Sequence, residues 1–125
     1  MKIEDLPALL QPLDGGTFAG VITTPAGAHC AVVLLPGAGT GLTWTEARGW
    51  ALKRGGELPT RPVAAMLFAN VKSALETRWH WTSEEFDASS AWLCDFYGGG
   101  QVYFHKSYEG GAVAVRMIHI DGRKD

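Results

Sequence analysis

Ser90-Ala91-Trp92-Leu93-Cys94-Asp95-Phe96-Tyr97-Gly98-Gly99-Gly100-Gln101-Val102-Tyr103-Phe104-His105-Lys106 consists of two aromatic, β-rich runs joined by three glycines. Glycine reaches positive φ without a Cβ penalty, so Gly98-Gly99-Gly100 supplies the positions a tight hairpin needs. The runs from Ala91 to Tyr97 and from Gln101 to Lys106 are therefore expected to be strands. Alternation then sorts their side chains. With Trp92 facing inward, Cys94 and Phe96 follow it, while Leu93, Asp95 and Tyr97 share the opposite face. Across the hairpin, the apolar pair Val102 and Phe104 is assigned to the core, which leaves Gln101, Tyr103 and His105 outward. Asp95, Tyr97, Gln101, Tyr103 and His105 are thus expected to converge on one side as a ligand-binding set, extended by Tyr108. Tyrosine and histidine offer broad contact area with few rotors and a polar tip, the mixture found in binding surfaces. The same residues also suit a wetter side of the sheet that binds nothing.

The surrounding block from Trp79 to Tyr108 holds three of the five tryptophans and all three tyrosines. That is more aromatic surface than one small core absorbs. Trp44, Trp81, Trp92, Phe96 and Phe104 are assigned to packing, and Arg116 to an ion pair or a backbone-bonded position. Trp79 and His80 fit either role.

Further strands are expected from Trp79 to Thr82 and from Ala112 to Ile120. Upstream, Thr17 to Thr23 and His29 to Leu35 read as a hairpin turned by Thr24-Pro25-Ala26-Gly27. Pro36 to Gly41 reads as a flexible surface turn. In Thr43-Trp44-Thr45-Glu46 a hydroxyl and a carboxylate are spaced to satisfy exposed backbone donors reciprocally, which predicts a helix from about Trp44 to Arg54 ended by Gly55-Gly56. Its buried stripe is Trp44, Ala47 and Ala51. Pro62 opens a second helix whose inner face carries Val63, Met66, Leu67, Asn70 and Val71. The order is strand, strand, helix, helix, then a meander of strands, an α+β chain.

With 125 residues, 46% hydrophobic and 19% charged, the chain is expected to be one globular domain, 1–125, with no internal repeat or linker. A net charge of −2 gives no general basic excess for phosphate, so nucleic acid is excluded as a first expectation. Met1 to Asp14 has no apolar run of signal-peptide length, and no stretch is long enough to cross a bilayer. Synthesis in the bacterial cytoplasm without membrane insertion is expected, and Cys30 and Cys94 read as buried thiols.

Site chemistry is narrowed by what the motifs lack. Gly37-Ala38-Gly39-Thr40-Gly41 lies between a strand and a helix, but Leu42 breaks the dinucleotide fingerprint and no Lys-Ser/Thr completes a Walker loop. No Gly-x-Ser-x-Gly elbow occurs, and Cys30 and His29 point to opposite faces of a strand, so no enzymatic activity and no cofactor are expected. His29 and His119 become cross-strand neighbours if the terminal strands pair, and Glu84, Glu85 and Asp87 form an acidic loop with hard oxygens. No metal site is assigned to either group.

Leu42-Thr43-Trp44-Thr45-Glu46-Ala47, Gly56-Glu57-Leu58-Pro59-Thr60-Arg61 and Leu67-Phe68-Ala69-Asn70-Val71-Lys72 occur in that order, followed by Trp79-His80-Trp81-Thr82-Ser83, Ser90-Ala91-Trp92, Phe96, Lys106 and Val113-Ala114-Val115-Arg116. Together they resemble the uncharacterised bacterial and phage family related to the C-terminal domain of the Lcl collagen-like adhesin. The resemblance covers 42–118, with 1–36 as an N-terminal lead and β-hairpin. It implies a C-type lectin-like fold, with two helices framing a twisted sheet whose first and last strands pair. The lectin calcium motifs Glu-Pro-Asn, Gln-Pro-Asp and Trp-Asn-Asp are absent, so calcium-dependent sugar binding is disfavoured. Formylglycine-generating enzymes share that fold, but Cys94 alone does not supply their reactive cysteines.

The resemblance implies a recognition module of phage or prophage origin, tail-associated or receptor-binding, whose partner is a host or phage protein or a surface glycan. The alternative is a small accessory protein in the host cytoplasm that inhibits or redirects a host factor by surface binding. A structural subunit that oligomerises through the N-terminal hairpin is a third reading.

Overall fold

The computed structural model describes residues 1–121; residues 122–125 of the expected 1–125 domain lie outside the described residues. Its chain is α+β, with two helices and two mostly antiparallel sheets. The first sheet has the order β1 (Pro12–Leu13), β2 (Gly16–Thr23), β3 (His29–Leu34) and β9 (Val115–His119). The second has the order β4 (Gly39–Leu42), β8 (Gly110–Ala112), β5 (Trp79–Glu85), β6 (Ser90–Asp95) and β7 (Gln101–His105). The one parallel pairing among the described strands is between β5 and β8, at His80 and Gly111.

Helix α1 (Trp44–Lys53) starts where the capping box predicts. Thr43 Oγ1 accepts from the Glu46 N–H at 3.3 Å, and Glu46 Oε1 accepts from the Thr43 N–H at 2.9 Å. Its stripe of Trp44, Ala47 and Ala51 is buried as expected. Helix α2 (Arg61–Val71) is capped by Thr60, whose hydroxyl accepts from the Val63 N–H, and proline sits in its first turn, where a missing donor costs nothing. Val63, Ala64, Leu67 and Val71 are buried, and Asn70 donates from Nδ2 to the Ala19 carbonyl at 2.7 Å, tying the helix to β2.

The helices lie against two separate hydrophobic clusters. Val32 and Leu34 of β3 join Cys94 and Phe96 under α2, while Val33 and Leu35 join Trp81, Ala91 and Leu93 under α1. Strands β3 and β6 are therefore buried on both faces. This explains the unbroken run Cys30-Ala31-Val32-Val33-Leu34, all of it buried, since a strand covered on both sides has no polar face to alternate with. A third, smaller cluster gathers Phe18, Ala31 and Ile120, with Met1, Leu6, Leu13 and Ile118 packed against it.

Three expectations about elements are corrected. Pro36 to Gly41 is not only a surface turn: Gly39–Leu42 is an edge strand hydrogen-bonded to β8 through an irregular register. The run from Ala112 to Ile120 is not one strand. It is split into β8 and β9, which belong to different sheets, with Val113 reaching the α2 cluster and Ala114 the α1 cluster. Unbroken β propensity gives no sign of a change of sheet, because the break at Val113 and Ala114 falls between two equally apolar, buried residues. Finally, the last strand does not pair with the first. It pairs with β3, with His119 opposite Cys30, so His29 and His119 are one residue out of register and on opposite faces.

Arg116 is both ion-paired and backbone-bonded: its Nη1 donates to Asp14 Oδ2 at 2.9 Å and to the Asp14 carbonyl, and its Nε donates to the Gly55 carbonyl. Cys30 and Cys94 are free and buried. No helix among the described residues is long and apolar enough to cross a membrane.

Candidate functional site

The glycine hairpin forms as predicted, with Gly99 at φ +81° and packed so closely on Phe68 that a Cβ there would come within 2.7 Å of the ring. Its register decides which residues share a face. Cys94 lies opposite Gln101, Leu93 opposite Val102, Trp92 opposite Tyr103, Ala91 opposite Phe104 and Ser90 opposite His105. Directly opposed residues point to the same side of a sheet. Gln101, Tyr103 and His105 therefore share the face of Trp92 and Cys94, the side on which α2 packs. Val102 and Phe104 share the face of Leu93, the side on which α1 packs.

The predicted site is consequently divided. Gln101, Tyr103 and His105 are brought together; Asp95, Tyr97 and Tyr108 are not among them. Asp95 belongs to the Leu93 face and is spent on the hairpin, its Oδ1 accepting from the Tyr97 N–H at 2.9 Å and its Oδ2 from the Gly98 N–H at 3.3 Å. Tyr97 sits at the hairpin end, 72% exposed, with the Lys72 ammonium 5.8 Å from its ring centre. Tyr108 lies on the α1 side, edge-on to Trp81 and to Phe104.

The inward assignments also change. Leu93 and Cys94 are both buried, because helices cover β6 from both sides. Val102 and Phe104 are exposed, because β7 is the outermost strand of its sheet. Trp92 is half-buried and lies beyond the apolar part of α2, where Arg61 at the helix start covers it in place of an aliphatic residue.

On the α2 side this produces a defined aromatic assembly. Phe86 and Tyr103 stack with centroids 3.7 Å apart and planes within 2° of parallel, and each ring remains 49% exposed. Trp92 meets both edge-on, at 5.9 Å from Phe86 and 5.3 Å from Tyr103. The Arg61 guanidinium carbon lies 3.5 Å from the Trp92 ring centre, while Arg61 Nε donates to Gln101 Oε1 and Gln101 Nε2 donates back to the Arg61 carbonyl, both at 2.9 Å. Glu84 Oε2 accepts from the Arg61 N–H at 2.7 Å, which holds the helix start against β5. Each side chain of the assembly is thus immobilised by the next, leaving two large apolar rings presented to solvent in fixed orientation.

Phe86, Trp92 and Arg61 were not among the predicted site residues. Phe86 lies in the turn between β5 and β6, where no periodicity assigns a face, and Arg61 comes from 40 residues before its partner Gln101.

The acidic loop is committed to the protein's own donors. Besides the Glu84 contact, Glu85 pairs with the Lys106 ammonium at 2.6 Å, and Asp87 accepts from the Ser89 N–H at 3.0 Å, which lowers the Asp87 carboxyl from its ordinary range. Burial raises the Cys94 thiol, opposite to what a nucleophile needs. His80 is fully buried against Phe96. Its Nδ1 lies 2.9 Å from the Arg78 carbonyl, which can only accept, so the proton sits on Nδ1 and the lone pair on Nε2, which has no partner. A groove of about 500 Å³ between Gly16, Leu34, Gly37, Ala38 and Glu76 shares no residue with the aromatic assembly.

No protein-family model matches this chain, and no curated protein matches it significantly.

Proposed function

We propose that this chain is a non-enzymatic recognition module of phage or prophage origin, with a C-type lectin-like fold, that binds a protein or a surface glycan against the face formed by Phe86, Trp92 and Tyr103. The observation that carries this reading is the Phe86–Tyr103 stack, two half-exposed rings both met edge-on by Trp92, whose own face is covered by Arg61. Rings already fixed by their neighbours lose little rotamer freedom on binding, so contact area converts efficiently into affinity. Flat aromatic faces suit both the apolar patches of a protein and the C–H faces of a sugar ring. The lectin-like reading is supported by two central helices on opposite sides of the strands and by a last strand that returns to the N-terminal hairpin. Since Glu84, Glu85 and Asp87 already serve protein donors, the reading assigns calcium no role.

The test is capture of surface polysaccharides on a glycan array and of outer-surface proteins from the host, by the wild type and by Tyr103→Ala, Phe86→Ala and Tyr97→Ala variants shown by circular dichroism to be folded at the assay temperature. Loss of Tyr103 or Phe86 should weaken capture by ~30-fold, as for the central anchors of an interface. Tyr97→Ala should leave capture intact, because that ring stands apart at the hairpin end. Undiminished capture by both the Tyr103 and Phe86 variants would overturn the assignment.

A further inference from the structure

Strand β7 closes one side of the second sheet and is open along its outer edge. Gly100 accepts from the Asp95 N–H, and the Lys106 N–H donates to the Ser89 carbonyl, with an unbroken register between them. Even-numbered residues of this segment therefore direct their backbone groups toward β6. Those of Gln101, Tyr103 and His105 must point the other way, outward. Of these, the described structure uses only the His105 carbonyl, which accepts from the Tyr108 N–H.

The other sheet edges are protected or interrupted: β1 is two residues long and carries Pro12, β4 has an irregular register, and β9 is bridged by Glu57 at Val115. By contrast, β7 has no proline, bulge or outward lysine, the usual means of keeping an edge single. Its side chains Val102, Tyr103 and Phe104 are 44%, 49% and 49% exposed, and they lie on both faces of the sheet.

We propose that β7 pairs antiparallel with β7 of a second copy of this chain, on a two-fold axis at Tyr103. The strand is complementary to itself in that register. Tyr103 opposes its own counterpart, Gln101 opposes His105 of the other copy, and Val102 opposes Phe104. The outward donors and acceptors meet as hydrogen-bonded pairs, and apolar side chains meet on the α1 side. Electrostatics permit it, since no residue from Gln101 to His105 has a formal charge at neutral pH and the neighbouring Lys106 is already neutralised by Glu85. The pairing joins the two Phe86–Tyr103 stacks into one continuous surface on the α2 side, so each copy contributes Tyr103 to the face presented by the other. A five-residue edge with side-chain contacts on both faces belongs to the small, reversible class of interface.

Sedimentation velocity over a concentration series tests this directly. The wild type should show a reversible monomer–dimer equilibrium, whereas Val102→Lys with Phe104→Lys, which sets like charges across the axis, should remain monomeric at every concentration while keeping its circular dichroism and melting temperature. A Tyr103→Cys variant should form a covalent dimer under mild oxidation, because directly opposed residues in a hydrogen-bonded pair have Cα atoms about 5.5 Å apart, within disulfide reach. A Tyr97→Cys variant should not, and the buried Cys30 and Cys94 should take no part. A wild type that stays monomeric to its solubility limit, a dimer indifferent to the paired lysines, or equal cross-linking at positions 97 and 103 would overturn the proposal. The two readings fail separately: a monomer that still captures ligand removes only the dimer, and a dimer that captures nothing removes only the recognition role.

Discussion

Arg61 covers Trp92. Its guanidinium carbon stands 3.5 Å from the ring centre, and both its Nε and its backbone carbonyl are bonded to Gln101. One residue thereby joins the start of α2 to β6 and β7. Arg61→Lys keeps the charge but loses the planar stacking and the fixed Nε–H donor. We expect it to lower stability by about 1 kcal/mol and to increase the mobility of Trp92, read by urea denaturation and by tryptophan fluorescence anisotropy. An unchanged denaturation midpoint would mean that the contact contributes nothing in solution.

The Phe86–Tyr103 stack should be measurable as a coupling. In a double-mutant cycle of Phe86→Ala and Tyr103→Ala, the double variant should lose about 0.5–1.5 kcal/mol less stability than the two single losses add up to, because the shared stack is lost only once. Additive losses would show that the rings do not hold one another, and with that the preorganisation behind the proposed site would fall.

His80 predicts acid sensitivity. Burial lowers its pKa below the ordinary value of 6.5, opposed by the hydrogen bond to the Arg78 carbonyl and by Glu76 and Asp95, while Arg78 adds to the lowering. The unfolded chain therefore binds the proton first as pH falls. Stability from this group is fully present above pH 6.5 and is lost as pH falls from there through the folded-state pKa. His80→Asn keeps a donor for the Arg78 carbonyl and removes the titration. Its unfolding free energy, measured by urea denaturation from about pH 8 to about pH 5, should fall less steeply than that of the wild type. Parallel curves would assign the acid response to other groups.

Two glycines should respond in opposite directions. Gly49 lies inside α1 with open space where a Cβ would be, so Gly49→Ala should stabilise by about 0.5–1 kcal/mol through helix propensity. Gly20 has φ +133°, and a Cβ there would come 2.9 Å from Asn70 Nδ2 and 3.0 Å from Met66 Sδ. Gly20→Ala should therefore cost about 1–3 kcal/mol. Thermal melts of the two variants decide both points.

Features governed by neighbours in the chain were legible in the residues. Thr43 and Glu46 are close enough to complete their capping box without help from elsewhere, and Pro62 marks the first turn of the second helix. The three glycines supply the turn between β6 and β7, so the hairpin and even its alternation were readable: Gln101, Tyr103 and His105 do share one side. The α+β class followed from these local signals in order.

Which side was open depended on long-range packing. Alternation assumes one covered face and one wet face, but α1 and α2 cover β6 from opposite sides, so Leu93 and Cys94 are both buried and their neighbours could not be sorted by polarity. The outermost place of β7 left Val102 and Phe104 exposed although their types suit a core, and the division of 112–120 between two sheets falls within Ala112-Val113-Ala114-Val115, which has no turn residue to mark it. Local hydrogen-bond chemistry was thus sufficient for caps and turns. The assembly of Arg61, Phe86, Trp92 and Tyr103 required the fold, because burial and edge position are properties of what packs against a strand and are not encoded in the strand itself.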